Sequence, residues 1–130
     1  MRAIDTNVLV RLITRDDTSQ VEAAQAFVSK GAWVSHIVLA ETAWVLAAAY
    51  ELHHMEIVTV IEMLLNHQQL TLQDAEVVSA ALGHYRQKPA LGFSDCLVLE
   101  VARKAGHLPL GTFDKRLSKL EGAEPMRRAD

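Results

Sequence analysis

The chain has 130 residues, half of them apolar and 22% charged, with a formal net charge of −3 at pH 7. That length and apolar content suit one ordinary domain, read as residues 1–130, and exclude a disordered tail or scaffold. The mild acidity argues against general electrostatic adhesion to nucleic acid, but a carboxylate site neutralised by divalent metal would still take phosphates.

No apolar run reaches the ~18–20 residues needed to span a bilayer, so no membrane association is expected. Met1-Arg2-Ala3-Ile4-Asp5 lacks the apolar core of a signal peptide. Cys96 is the only cysteine, so no internal disulfide is possible and a reducing cytoplasm is the expected location.

In chain order, residues 2–5 read as a short buried strand, followed by a helix near Asn7–Thr14. Ser19-Gln-Val-Glu22 has the form of a capping box and opens a helix to about Lys30, which Gly31 closes. Ala32–Ser35 is a predicted strand, and Ile37–Tyr50 a helix apolar on nearly every side. Met55–Asn66 is amphipathic, with Ile57, Val60, Ile61, Leu64 and Leu65 opposite Glu56, Thr59, Glu62 and Asn66. Leu70–Leu72 is a predicted strand and Ala75–Arg86 a helix. A loop with Pro89 and Gly92 leads to a helix from Ser94, ended by Gly106. Leu108–Phe113 reads as a strand, Lys115–Leu120 as a short helix and Pro125-Met126 as an edge strand. There is no repeat or linker. Short strands alternating with helices predict an α/β fold with a mostly parallel central sheet of four to five strands flanked by helices.

Four carboxylates interrupt apolar surroundings. Glu41 lies in the all-round apolar helix, with Ile37, Val38, Trp44 and Val45 three and four residues away. It is expected to be largely buried, where an unpaired carboxylate neutralises or finds a cation. The competing reading is an exposed glutamate favoured by the helix dipole. Asp95, in Phe93-Ser-Asp-Cys-Leu-Val-Leu99, has Leu91, Gly92, Val98 and Leu99 at the same offsets. An aspartate in a first helical turn is equally an ordinary helix-start residue.

Asp5 follows an apolar strand, at the sheet edge where α/β proteins place ligands. Were the backbone still extended, Asn7 would point the same way. Helix capping by Asp5 or Thr6 is the alternative. Asp114 follows another apolar strand, and Thr112, two residues earlier, would turn toward the same edge. Gly111 permits close backbone approach there, and capping by Asp114 is again the alternative. Like charges ~4 Å apart repel by about 4 kcal/mol at an effective dielectric near 20, so the four converge only around protons or a cation. Oxygen-only ligands suit Mg²⁺ or Mn²⁺.

Asp5-Thr-Asn-Val-Leu, Ala40-Glu41, Phe93-Ser-Asp95-Cys-Leu and Thr112-Phe-Asp114 resemble, in order and spacing, the motifs of PIN-domain nucleases, and the closest group is similar to the VapC toxins of prokaryotic toxin–antitoxin pairs. The resemblance covers the whole chain. It implies a PIN fold and metal-dependent hydrolysis of single-stranded RNA. It further implies that Asp5, Glu41, Asp95 and Asp114 hold one or two Mg²⁺ or Mn²⁺ ions, with Thr112 and Asn7 orienting them or the attacking water. A homodimer and a VapB-like antitoxin are the implied partners. The antitoxin contact is expected on the Ile37–Tyr50 helix at Trp44, unless Trp44 is core. Where such proteins carry a further acid after the third carboxylate, this chain offers Glu100, read as too far along its helix to join the site.

Other chemistries fit less well. The six histidines lack zinc-ligand spacing, and Cys96 reads as a buried thiol. Arg11, Lys115 and Arg116 would reach an RNA phosphate or be solvated, and Arg127 and Arg128 read as a charged tail. A haloacid-dehalogenase-like phosphatase wants an aspartate where Asn7 stands. A receiver-like domain wants one closing the strand that ends at Gln73. An RNA-processing or DNA-directed PIN nuclease and a non-catalytic acidic module remain as alternatives.

Overall fold

The computed structural model describes residues 1–129. Its elements run β1 (Arg2–Ala3), α1 (Thr6–Thr14), α2 (Thr18–Val28), β2 (Ala32–Val34), α3 (His36–Ala48), α4 (His54–Leu65) and β3 (Leu70–Leu72). They continue with α5 (Ala75–Gln87), α6 (Phe93–Ala105), β4 (Leu110–Thr112), a single 3-10 turn at Leu117–Lys119 and β5 (Ala123–Pro125). Every strand pairing is parallel, as alternating strands and helices predict. The strands divide into a three-stranded sheet ordered β1-β2-β3 and a separate β4-β5 pair.

Caps set the helix boundaries. Asp5, Asp17 and Ser35 each accept a backbone N–H from the first turn of α1, α2 and α3. The predicted capping box at Ser19–Glu22 is therefore displaced: α2 begins at Thr18 under Asp17, and the Ser19 hydroxyl donates to that same carboxylate. Asp17 outcompetes it because it lies one residue before the first helical turn, where its oxygen meets the unsatisfied Gln20 N–H at 3.1 Å. Gly106 ends α6 with φ +83°, the left-handed cap expected of it.

One contiguous core joins Val34 and Leu72 of the sheet to Leu39 and Leu46 of α3, Val58 and Ile61 of α4, Val78 of α5 and Leu99 of α6. On α4 the buried set is Ile57, Val58, Ile61 and Leu64, so the stripe is rotated toward Val58 while Val60 and Leu65 are half-buried. The first strand is shorter and less buried than predicted: Arg2 and Ala3 are exposed, and only Ile4 is core. The strand is extended effectively by Ile4 N–H donating to the Trp33 carbonyl at 3.1 Å. No helix among the described residues is long and apolar enough to cross a membrane.

Candidate active site

Asp5 stands just past β1, and α3, which carries Glu41, just past β2. Adjacent parallel strands end on the same sheet edge, so Asp5 and the start of α3 belong to one side of the fold. Asp5 is exposed; its Oδ1 accepts the Val8 N–H at 3.1 Å, which leaves Oδ2 free. Asn7 is not in extended backbone but in the first turn of α1. Even so, it shares with Asp5 a cleft of roughly 380 Å³ walled by Val8, Arg11, Gln20 and Phe27. The Arg11 guanidinium is engaged: it donates to Asp16 at 3.2 Å, to the Tyr50 hydroxyl at 3.1 Å and to Gln20. The Tyr50 hydroxyl in turn donates to Asp16 at 2.7 Å, and that bond chiefly holds the Asp16 carboxyl below its ordinary value.

Glu41 is exposed, not buried as expected from its apolar helix, and makes no hydrogen bond or ion pair among the described residues. The physical reason is the orientation of α3. Leu39, Thr42, Ala43 and Leu46 face the core, while Ile37 (80% exposed), Glu41 and Trp44 (69%) face outward. Trp44 is accordingly not a core residue. Thr42 is buried, and its hydroxyl oxygen finds no partner among the described residues.

Asp95 is the third residue of α6, and its Oδ2 accepts the Gly92 N–H at 3.2 Å, completing the first turn. Ala40 and Ser94, the residues preceding Glu41 and Asp95, line one groove between α3 and α6. Asp114 is exposed beyond β4. Its Oδ1 accepts the N–H groups of Arg116 (2.8 Å) and Leu117 (3.0 Å), and its own N–H donates to Thr112 Oγ1 at 3.0 Å. The Leu117 and then the Arg116 N–H hold its carboxyl below the usual 3.8. The second oxygen is left for other partners. Gly111 is approached by Met126, whose sulfur would lie 3.0 Å from an added Cβ.

Each candidate acid thus retains a free oxygen, and oxygen-only donors match Mg²⁺ or Mn²⁺ in type. As placed, no three His, Cys, Asp or Glu among the described residues stand close enough to share one ion. Direct pairing joins Thr112 with Asp114, and one cleft joins Asp5 with Asn7.

Glu100, set aside in the sequence, is the one buried carboxylate (6% exposed) among the described residues, and it belongs to a structural network. It accepts from His84 Nε2 at 3.0 Å and from Arg103 Nε at 3.2 Å on each oxygen. Arg103 also donates to the Glu121 carbonyl at 2.6 Å and lies against Gly122 at the entry to β5. The Glu100–Arg103 spacing of three was the only local signal, since His84 comes from another helix. Cys96 is fully buried, and burial, with Asp95 second, pushes its thiol up to about 11.

Parallel strands with carboxylates just beyond their carboxyl ends define an acidic α/β protein. A PIN domain family model matches residues 3–123, and the chain belongs to that family, whose members are generally nucleases. No curated protein and no solved structure matches the chain.

Proposed function

We propose that this PIN domain is a divalent-metal-dependent endoribonuclease that cleaves single-stranded RNA by water attack on a phosphodiester, and that it is the toxin of a type II toxin–antitoxin pair. The observation that carries the reading is the set of four acids in a PIN-family chain, each with an oxygen not used by its own helix or turn. Asp5, Glu41, Asp95 and Asp114 would hold Mg²⁺ or Mn²⁺. A bound divalent ion supplies Lewis acidity toward phosphoryl oxygen and a source of hydroxide at neutral pH. Thr112 orients the Asp114 turn through its hydroxyl, and Asn7 faces the cleft beside Asp5.

The outward face of α3 and α6, with Ile37, Trp44, Val98 and Val101 exposed, is where a second copy and a VapB-like antitoxin would dock. A cytoplasmic location accords with the single buried thiol. The lack of a ready three-ligand cluster among the described residues favours the second reading, a non-catalytic acidic module.

One experiment separates them. Purified protein is incubated with single-stranded RNA or DNA and Mg²⁺ or Mn²⁺, with EDTA and Asp5→Asn controls. RNA cleavage lost in both controls is the expected result. Cleavage unaffected by either control would sink the metal mechanism, preferential cleavage of DNA would redirect the substrate, and binding without cleavage under any metal would favour the module.

A further inference from the structure

Phe113 sits between Thr112 and Asp114, yet it contributes nothing to the core: it is 62% exposed. An aromatic side chain of this size in the open, next to a candidate catalytic carboxylate, needs a reason. It walls a cleft of roughly 440 Å³ with Lys115, Pro125, Met126 and Arg128. The floor is fixed by the sheet. Thr112 pairs with Pro125 across β4-β5, and the Met126 N–H donates to the Thr112 carbonyl at 2.9 Å. Met126 is itself 52% exposed and is seated over Gly111.

The charge of this cleft departs from that of the chain. The protein carries −3 overall, but among the described residues the cleft is lined by two cations and no anion. Lys115 and Arg128 are both exposed, so neither charge is committed to the interior. An open aromatic face sharing a cleft with two exposed cations is the chemistry that recognises an unpaired nucleotide. The base stacks on the ring, while the cations meet the flanking phosphates. A duplex cannot use it, because its bases are already stacked on one another. An apolar protein segment would gain from Phe113 and Met126 but would leave both cations without partners.

We infer that Phe113, Lys115 and Arg128 form a subsite for one unpaired nucleotide of a single-stranded RNA, adjoining the phosphate presented to Asp114. The inference rests on the nuclease reading for its substrate but not for its geometry. The subsite would set which unpaired stretches of RNA are engaged, since the Asp114 turn and the Phe113 ring belong to consecutive residues.

The test is binding of a short fluorescein-labelled single-stranded RNA, and of the same sequence as a duplex, by the full chain in EDTA, followed by anisotropy. Phe113→Leu is expected to weaken single-strand binding by about 5- to 150-fold, the equivalent of losing one stacked base. Phe113→Trp should retain or tighten it, which mere apolar packing would not require. Lys115→Gln and Arg128→Gln should each reduce the slope of log Kd against log salt by about 0.7. All three positions are exposed, so circular dichroism should stay as in the parent chain. Unchanged affinity in Phe113→Leu, unchanged salt slopes, or no RNA binding by the parent chain would each overturn the subsite. So would dissociation of an oligomer by Phe113→Leu with RNA binding intact, which would assign the patch to a protein partner. If the parent binds RNA through these residues but cleaves none with Mg²⁺ or Mn²⁺, the nuclease proposal fails and the subsite stands.

Discussion

Replacing Glu100 by alanine removes the centre of the one buried ionic network among the described residues. The carboxylate is 6% exposed and meets His84 at 3.0 Å and Arg103 at 3.2 Å on both oxygens. Charged hydrogen bonds contribute about 1.5–3 kcal/mol each, and removing one partner of a buried pair costs about 3–5 kcal/mol. Here the partners are not sealed in: the side chains of His84 and Arg103 are 30% and 36% exposed, so water recovers part of the loss. The expected destabilisation is therefore at the low end, about 3 kcal/mol. For a chain of this length that lowers Tm by roughly 10 °C. Glu100→Gln keeps an acceptor of the same shape and should lose only about 1 kcal/mol.

Urea unfolding should show a lower midpoint at unchanged m. Hydrogen exchange should rise first at β4 and β5, because Arg103, once released, no longer secures the Glu121 carbonyl at the entry to β5. A loss below about 1 kcal/mol for Glu100→Ala, the magnitude of an exposed ion pair, would refute the reasoning. So would equal losses in the alanine and glutamine variants, which would assign everything to charge and nothing to the hydrogen bonds.

Two further outcomes follow from single sites. The Asp114 carboxyl should titrate below 3.8, because the Leu117 and Arg116 N–H groups favour its ionised form. Its folded pKa being lowered, its contribution to stability is full above 3.8 and fades as pH falls through the folded value; Asp114→Asn should flatten the stability profile there. Carbon-13 NMR of the side-chain carboxyl measures this directly, and a midpoint at or above 3.8 would contradict the turn geometry. Cys96, buried and with its thiol pushed up to about 11, should react with an alkylating reagent only as fast as the protein opens. Fast labelling of the native chain would disprove the burial.

The elements that were legible are those whose signals are local. The Gly106 cap, the Leu70–Leu72 strand and the spans of α4 and α5 follow from periodicity and single cap residues. Glu41 is exposed against expectation because a helix apolar on every side does not say which side is covered. Its apolar surplus turns out to be an outward face bearing Ile37 and Trp44. Glu100 is buried for a reason its own helix does not carry. Its burial depends on His84, sixteen residues away on α5, and no pattern within α6 reports that encounter. At the candidate site, the cap roles of Asp5 and Asp114 were legible as alternatives to catalysis. The structure shows both acids capping with one oxygen while the other stays open, so the two roles do not exclude each other.

The outward placement of Trp44 also equips the molecule with an optical probe. The chain has two tryptophans, and Trp33 lies half-buried in β2 while Trp44 is 69% exposed. Iodide should therefore quench one indole far more than the other. A Trp33→Phe chain would emit from α3 alone, at the red wavelengths of a hydrated indole. Anything that settles on that helix would shift its emission to the blue and shield it from quencher, so occupancy of the face can be read in a cuvette without attaching a label.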